Sequence, residues 1–286
     1  MFGHVLVGVD GAQGGRDAIA LATQLADEGA TTSLVHVFGA GLMPGKGTAL
    51  LLSVELEQSR ELLERERRAA APAADLIPCA DRSIGHALHG LAERHSADLI
   101  VIGACRHGFL GRLLLGSDTI SALNGAPCAV AIAPFGYADR AHPLSALGVG
   151  YDGSPESEQA LAAARALAPC LGSSVRVMSV VSPQDIPYGE PIARVGGLAD
   201  DEVDITYGDP SEALLSLGEQ VDLLIVGSRG YGPVGRLMHG STSNQLARRA
   251  RCPLLVLPRS VAPEQHDDWD LPLEVAMRDV SETSRS

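Results

Sequence analysis

Lysine is almost absent. Lys46 is the single lysine among 22 basic residues, so any chemistry that needs a phosphate-gripping, Schiff-base or general-base lysine depends on that residue or does without one. Its surroundings, Gly41-Leu42-Met43-Pro44-Gly45-Lys46-Gly47-Thr48, fail the phosphate-loop pattern G-x-x-x-x-G-K-[ST], because position 40 is Ala40 and position 47 is Gly47. A surface loop is expected there. Positive charge is scarce overall: 22 basic against 35 acidic side chains leave a formal net charge of -13, which repels phosphodiester backbones and anionic lipid. Neither nucleic acid nor a membrane is expected as a partner. No apolar run reaches the roughly 18 residues that span a bilayer, and Met1-Phe2-Gly3-His4-Val5 carries no cationic leader, which points to the cytoplasm.

Cysteines are few and scattered. Cys79, Cys105, Cys128, Cys170 and Cys252 make an odd set with no close C-x-x-C spacing, which suggests neither a disulfide framework nor a zinc knuckle and reads most simply as reduced, structural thiols. Ser154 and Ser157 sit in no G-x-S-x-G elbow, so an α/β-hydrolase is excluded. A nucleotidyl transferase would need a His-x-x-His type motif early in the chain and a later catalytic lysine; the first 80 residues hold no such motif and no lysine follows Lys46. His86 and His89 stand three apart without a third ligand nearby and read as solvent-facing helix residues.

What is present is a duplication. The 286 residues are 45% hydrophobic and 20% charged, enough for two domains with their own cores. Val5-Leu6-Val7-Gly8-Val9-Asp10-Gly11 returns as Leu147-Gly148-Val149-Gly150-Tyr151-Asp152-Gly153, so Asp10 and Asp152 correspond. Ala97-Asp98-Leu99-Ile100-Val101-Ile102-Gly103 returns as Val221-Asp222-Leu223-Leu224-Ile225-Val226-Gly227, and Gly116-Ser117 and Cys128 return as Gly240-Ser241 and Cys252 at that same spacing. The expected organisation is one domain over residues 1–137, a second over 144–259, and an acidic, mobile extension over 260–286 in which only Trp269 and Leu271 are candidates to dock.

Within each unit short apolar runs alternate with amphipathic stretches, the pattern of a parallel sheet covered on both faces. Helices are expected over residues 16–27, 49–71 and 83–95 in the first unit; in the second, Ser154 caps a helix that has Pro155 at its first position. Strands are expected over residues 33–38, 129–133, 175–181 and 254–257. Residues 182–204, rich in proline, glycine and acid, replace the charged helix of the first unit and are expected to form a loop.

A glycine at the carboxyl end of a parallel strand lets backbone approach a ligand, and there Gly227 is followed by Ser228-Arg229-Gly230. Gly240 then opens a helix beginning Ser241, Thr242 and Ser243. Free backbone N–H groups, hydroxyl donors and the helix dipole converge, so an anion can be held without lysine. The bland alternative is that the glycines serve only a tight loop and Ser241 only a helix cap; anion binding is the favoured reading.

These residues resemble the universal stress protein family in its two-domain form. The likeness covers residues 5–134 and 147–258. The ATP-binding branch of that family carries G-x2-G-x9-G-[ST], and Gly227, Gly230, Gly240 and Ser241 fall at those spacings with Asp152 at the end of the first strand. The resemblance implies two α/β domains, each a mostly parallel five-stranded sheet flanked by helices, whose last strands pair with each other. It implies ATP as ligand, with Mg2+ as a companion, and a regulatory role in stress or dormancy. Asp152, with Gly153 beside it, would meet the nucleoside and Val180 would form an apolar wall. Gly227 and Gly230 would close on the phosphates, Ser241, Thr242 and Ser243 would donate to them, and Arg229 and Arg236 are cationic candidates.

The first unit departs from this pattern. Asp10, Gly103, Gly116 and Ser117 match, but Arg106 replaces the second glycine and Asp118 follows Ser117, so that site is expected to be weaker or empty. No residue is placed as a general base, so at most slow ATP hydrolysis or autophosphorylation is expected. An interaction scaffold with vestigial pockets is the competing reading, and a homodimer or a protein partner stays open.

Overall fold

A computed structural model describes residues 1–39, 48–104, 121–181, 202–228 and 241–258. In chain order these form β1 (Phe2–Gly8), α1 (Gln13–Leu25), β2 (Ala26–Phe38), α2 (Thr48–Ala70), β3 (Asp75–Ala80), α3 (Ile84–Arg94), β4 (Leu99–Gly103) and β5 (Ala129–Ala133). A 3-10 turn, Ala138–Arg140, leads into β6 (Ala146–Tyr151), α4 (Pro155–Leu171), β7 (Ser174–Val181), β8 (Glu202–Tyr207), α5 (Pro210–Leu217), β9 (Leu223–Gly227), α6 (Ser241–Arg249) and β10 (Leu254–Leu257).

The strands make one ten-stranded sheet in the order β3-β2-β1-β4-β5-β10-β9-β6-β7-β8. The second five repeat the first five in mirror order, and every pairing within a set of five is parallel. The sets join through the antiparallel pair β5–β10, with Ala131 opposite Leu255. The α/β architecture and the pairing of the last strands therefore follow the expectation from resemblance.

Alternation along buried strands sends side chains to two cores. Val101, Ala131, Leu255 and Ile225 face α1, α2 and α4 on one side. Ile100, Val130, Leu254 and Leu224 face α3, α5 and α6 on the other. The helices meet the sheet with stripes at helical spacing: Ala18, Leu21, Ala22 and Leu25 in α1, Leu88 and Leu91 in α3, and Ala160, Leu161, Ala164 and Leu167 in α4 are all buried. Because the first crossovers go to one face and the later ones to the other, the direction in which strands are added across the sheet reverses between β1 and β4, and again between β6 and β9, leaving a crevice at the carboxyl ends of those strands.

Local signals account for the boundaries. Ser83 caps α3 by accepting from His86 N, and Ser154 caps α4 by accepting from Ser157 N, with Pro155 in the first turn. Two expectations need correction. The first helix ends at Leu25 rather than at residue 27, because Ala26 begins a long strand whose register with β1 slips between Phe2 and His4, with Gly29 at φ +97 in the extra residues. Residues 202–204 are not loop: Val203 and Asp204 pair with Val177 and Met178, and Arg176 reaches the Asp204 carboxylate at 3.0 Å. The run of acids had hidden a strand whose alternate residues, Val203 and Ile205, are apolar.

The connection between the two sets is clamped. Asp17 of α1, fully buried, accepts from Gly136 N at 2.7 Å, Ala138 N at 2.8 Å and Gln13 Nε2 at 3.0 Å. Tyr137 is buried and its hydroxyl accepts from Gln24 Nε2 at 2.7 Å. Nothing in the local sequence pattern singles out Asp17, since a carboxylate in the first turns of a helix is ordinarily a surface residue. The segments that hold Lys46, Trp269 and Leu271 lie outside the described residues.

Candidate functional site

At the crevice between β6 and β9 a cleft opens with about 630 Å3 of empty space counted out to open solvent. Its floor is apolar: Met178 and Val180 come from β7, Leu214 from α5, and Val226 from β9. Its rim is polar, with Asp152, Ser154 and Glu156 from the β6–α4 junction on one side and Thr242 and Ser243 from the first turn of α6 on the other.

Asp152 is held in place by its own turn. Gly153 adopts φ +75, and the Asp152 Oδ1 accepts from Ser154 N at 3.1 Å and from the Ser154 hydroxyl. Ser154 in turn accepts from Ser157 N at 3.2 Å, so the carboxylate, the turn and the start of α4 form one hydrogen-bonded unit. Tyr151, just before it, is buried and donates to Glu158; burial, reinforced by the Glu158 carboxylate, pushes its hydroxyl up to about 12. It stays protonated and gives the cleft a rigid base.

Gly227 does something the sequence reading left out. A Cβ on this residue would stand 2.4 Å from the Glu156 carbonyl oxygen, so its absence is what lets the first turn of α4 rest on the end of β9. Gly103 repeats the device more tightly, with the corresponding position 1.9 Å from the Gly14 oxygen. These glycines are close-packing residues first, as at a helix–strand junction of a dinucleotide fold.

The first set of strands brings Asp10 and Gly103 to equivalent places. Asp10 accepts from Ala12 N at 2.9 Å and Gly15 N at 3.3 Å, while Gly11 takes φ +72. Here α2 adds chemistry that sequence reasoning missed. His36, at the end of β2, hydrogen-bonds through Nδ1 to the buried Ser59 Oγ at 2.8 Å. Burial lowers the His36 pKa, and the nearby Asp10 and Glu55 carboxylates oppose that shift. Strand pairing puts Ser179 where His36 stands, because Gly8 lies opposite Val35 and Gly150 opposite Met178. The helix before the fourth strand also differs between the sets: Gly85 of α3 has no room for a Cβ, which would lie 2.4 Å from the Ser121 oxygen, whereas the equivalent position of α5 holds the buried Ser211.

The remaining site residues divide simply. Arg229, Gly230, Arg236, Gly240, Arg106, Gly116, Ser117 and Asp118 lie outside the described residues, and of Ser241 only the backbone, at the start of α6, is described. Cys128 and Cys252 are buried, and desolvation pushes each thiol up to about 12, so neither is a thiolate at neutral pH. His86 is exposed beside Asp81 at 2.8 Å, as expected, but His89 is half-buried and bonded through Nε2 to the Ala122 oxygen at 2.8 Å. Among the described residues no group of three His, Cys, Asp or Glu side chains is placed to hold a metal, and no helix is long and apolar enough to cross a membrane.

The model of the universal stress protein family matches residues 1–134 and 190–258. The chain belongs to that family. A universal stress protein of Mycolicibacterium smegmatis is 28% identical over 284 residues, covering 88% of this chain and 96% of its own. A shorter one of Thermus aquaticus is 30% identical over 130 residues, 38% of this chain and 95% of its own. Among solved structures, a universal stress protein of Archaeoglobus fulgidus matches with a TM-score of 0.67 at 20% identity, covering 90% of this chain and 99% of that one, which supports the fold. In this universal stress protein the family match falls in two stretches, one on each side of the clamped connection.

Proposed function

We propose that this universal stress protein binds an adenine nucleotide, ATP above all, in the cleft between β6 and β9, and that the bound state serves regulation in stress or dormancy. One observation carries the reading: a preorganised carboxylate, an apolar floor and the amino end of a nine-residue helix open onto the same crevice. The purine would lie against Met178 and Val180, Asp152 would accept from the nucleoside, and Thr242 and Ser243 would donate to the phosphates. By motif spacing Gly230, Gly240 and Ser241 complete the cradle, with Arg229 beside it. Asp152 and Glu156 both line the cleft, so a triphosphate would be favoured as its Mg2+ complex, the metal held by phosphate oxygens. We assign residues 1–137 and 144–259 to two such units in the cytoplasm, the first with Asp10, Gly103, Gly116 and Ser117 as a weaker site.

Mass spectrometry of the denatured, freshly purified protein tests the reading directly. Co-purified ATP or AMP is expected, with a melting temperature that rises on adding ATP and Mg2+; Asp152→Ala is expected to remove most of that rise. Protein free of nucleotide, with no thermal shift at millimolar ATP, would leave the scaffold reading in its place.

A further inference from the structure

Ser228 is the anomaly next to the cleft. It directly follows β9 and is 1% exposed, yet its hydroxyl has no hydrogen-bond partner. Leaving a buried hydroxyl bare is costly, which is why such groups are nearly always satisfied. The fold does not require one here. The equivalent residue after β4 is Ala104, also buried, and the backbones behave alike: Ser228 N donates to Leu257 O at 3.0 Å and Ala104 N to Ala133 O at 2.8 Å. An alanine therefore occupies the equivalent position with the same backbone pairing, and the C-terminal set carries an oxygen in its place.

The direction of that oxygen follows from strand alternation. Gly227 turns its Cα toward Glu156 on the α4 face, so Val226 and Ser228 point to the opposite face, where Val226 joins Leu246 of α6 in the second core. That face, at the carboxyl end of β9, is the one from which Thr242 and Ser243 at the amino end of α6 line the cleft. Asp152 and the apolar floor from β7 lie toward one end of the lining, and Ser228 sits just behind it, directly after the lining residue Gly227.

We infer that Ser228 is a ligand-binding residue whose hydroxyl donates to a phosphate oxygen of the nucleotide, and that its unpaired state is the apo condition of a site built to be filled. The inference rests on the nucleotide reading above and adds a residue to it. It makes the hydroxyl a burden when the cleft is empty and an asset when it is occupied, so removing it moves two observables in opposite directions.

Ser228→Ala, the residue the other half already uses, supplies the test, with wild type and variant titrated calorimetrically with adenosine, AMP and Mg-ATP. Expected are a loss of affinity for AMP and ATP of about tenfold, adenosine affinity within about twofold of wild type, and a nucleotide-free melting temperature raised by about 2 °C. Unchanged AMP and ATP affinity overturns the assignment, as does an equal loss for adenosine, which would place the hydroxyl at the nucleoside. A lowered melting temperature of the free variant also overturns it, since the hydroxyl would then be paired within the protein. Wild type that binds none of the three ligands refutes the nucleotide reading itself, and this inference falls with it.

Discussion

Gly227→Ala separates two roles that one motif glycine can play. If Gly227 serves only to admit phosphates, alanine should weaken nucleotide binding and leave the free protein's stability alone. The packing says otherwise: the new Cβ would lie 2.4 Å from the Glu156 oxygen, 2.6 Å from its carbonyl carbon and 2.8 Å from its Cβ. Ordinary contact needs about 3.4 Å or more, so the first turn of α4 must retreat by about 1 Å, and the obstacle is backbone rather than a side chain that could swing aside. Overpacking of this kind costs about 1–3 kcal/mol. For a chain of this size that is a fall in melting temperature of about 2–10 °C. Because Asp152, Ser154 and Glu156 travel with that turn, nucleotide affinity should drop as well. Gly103→Ala, with 1.9 Å to the Gly14 oxygen, should cost more than Gly227→Ala although it touches the site expected to be weaker. Urea denaturation followed by circular dichroism, without nucleotide, measures both. Variants within about 0.5 kcal/mol of wild type, or the reverse order, would refute the packing argument.

Three further outcomes follow from groups away from the cleft. Asp17→Ala strips the partner from Gly136 N, Ala138 N and Gln13 Nε2 inside the protein, so a loss of about 2–4 kcal/mol is expected in urea melts, and a near-neutral result would mean the clamp contributes nothing. His36 titrates at 6.5 when unfolded and lower when folded, so protons favour the unfolded chain; its contribution to stability is complete above pH 6.5 and is lost as pH falls toward the folded value. His36→Gln should therefore flatten the stability decline between about pH 7 and pH 5, and an unaltered pH profile would contradict the burial of that ring. Iodoacetamide at about pH 8 should label exposed Cys170 in the native protein while Cys128 and Cys252 react only after unfolding, as peptide mass spectrometry would show.

Much of the fold was written in local patterns. The repeated apolar runs located β1, β4, β6 and β9 because strands buried on both faces read as continuous hydrophobic stretches. Ser154 and Pro155 fixed the start of α4 because capping is a short-range affair. What failed was whatever depends on distant partners. The strand from Glu202 looked like acidic loop because its acids point away from, or pair across, a sheet that the window could not see; Arg176 neutralises Asp204 from 28 residues away. Asp17 looked like surface because the amides it holds lie some 120 positions on.

The site shows the same limit in a sharper form. Family resemblance grouped Asp152, Gly227, Thr242 and Ser243, and all four line the same cleft. Spacing could not weigh the two copies against each other, because their difference is three-dimensional. Arg106 and Asp118 drew attention as sequence departures, yet the described surroundings of Asp10 already differ for another reason: α2 delivers Glu55 and Ser59 to the end of β2, where His36 takes the place of Ser179, and α3 closes on residue 121 with no room for a side chain at Gly85. A duplicated backbone thus keeps Gly103 and Gly227 because packing demands them, and Gly11 and Gly153 because their turns need positive φ, whether or not a ligand binds. Motif retention alone is then a poor guide to which copy works. The discriminating feature is a group that packing does not need, and Ser228 against Ala104 is one described pair in which one half carries a buried hydroxyl that the fold leaves unsatisfied.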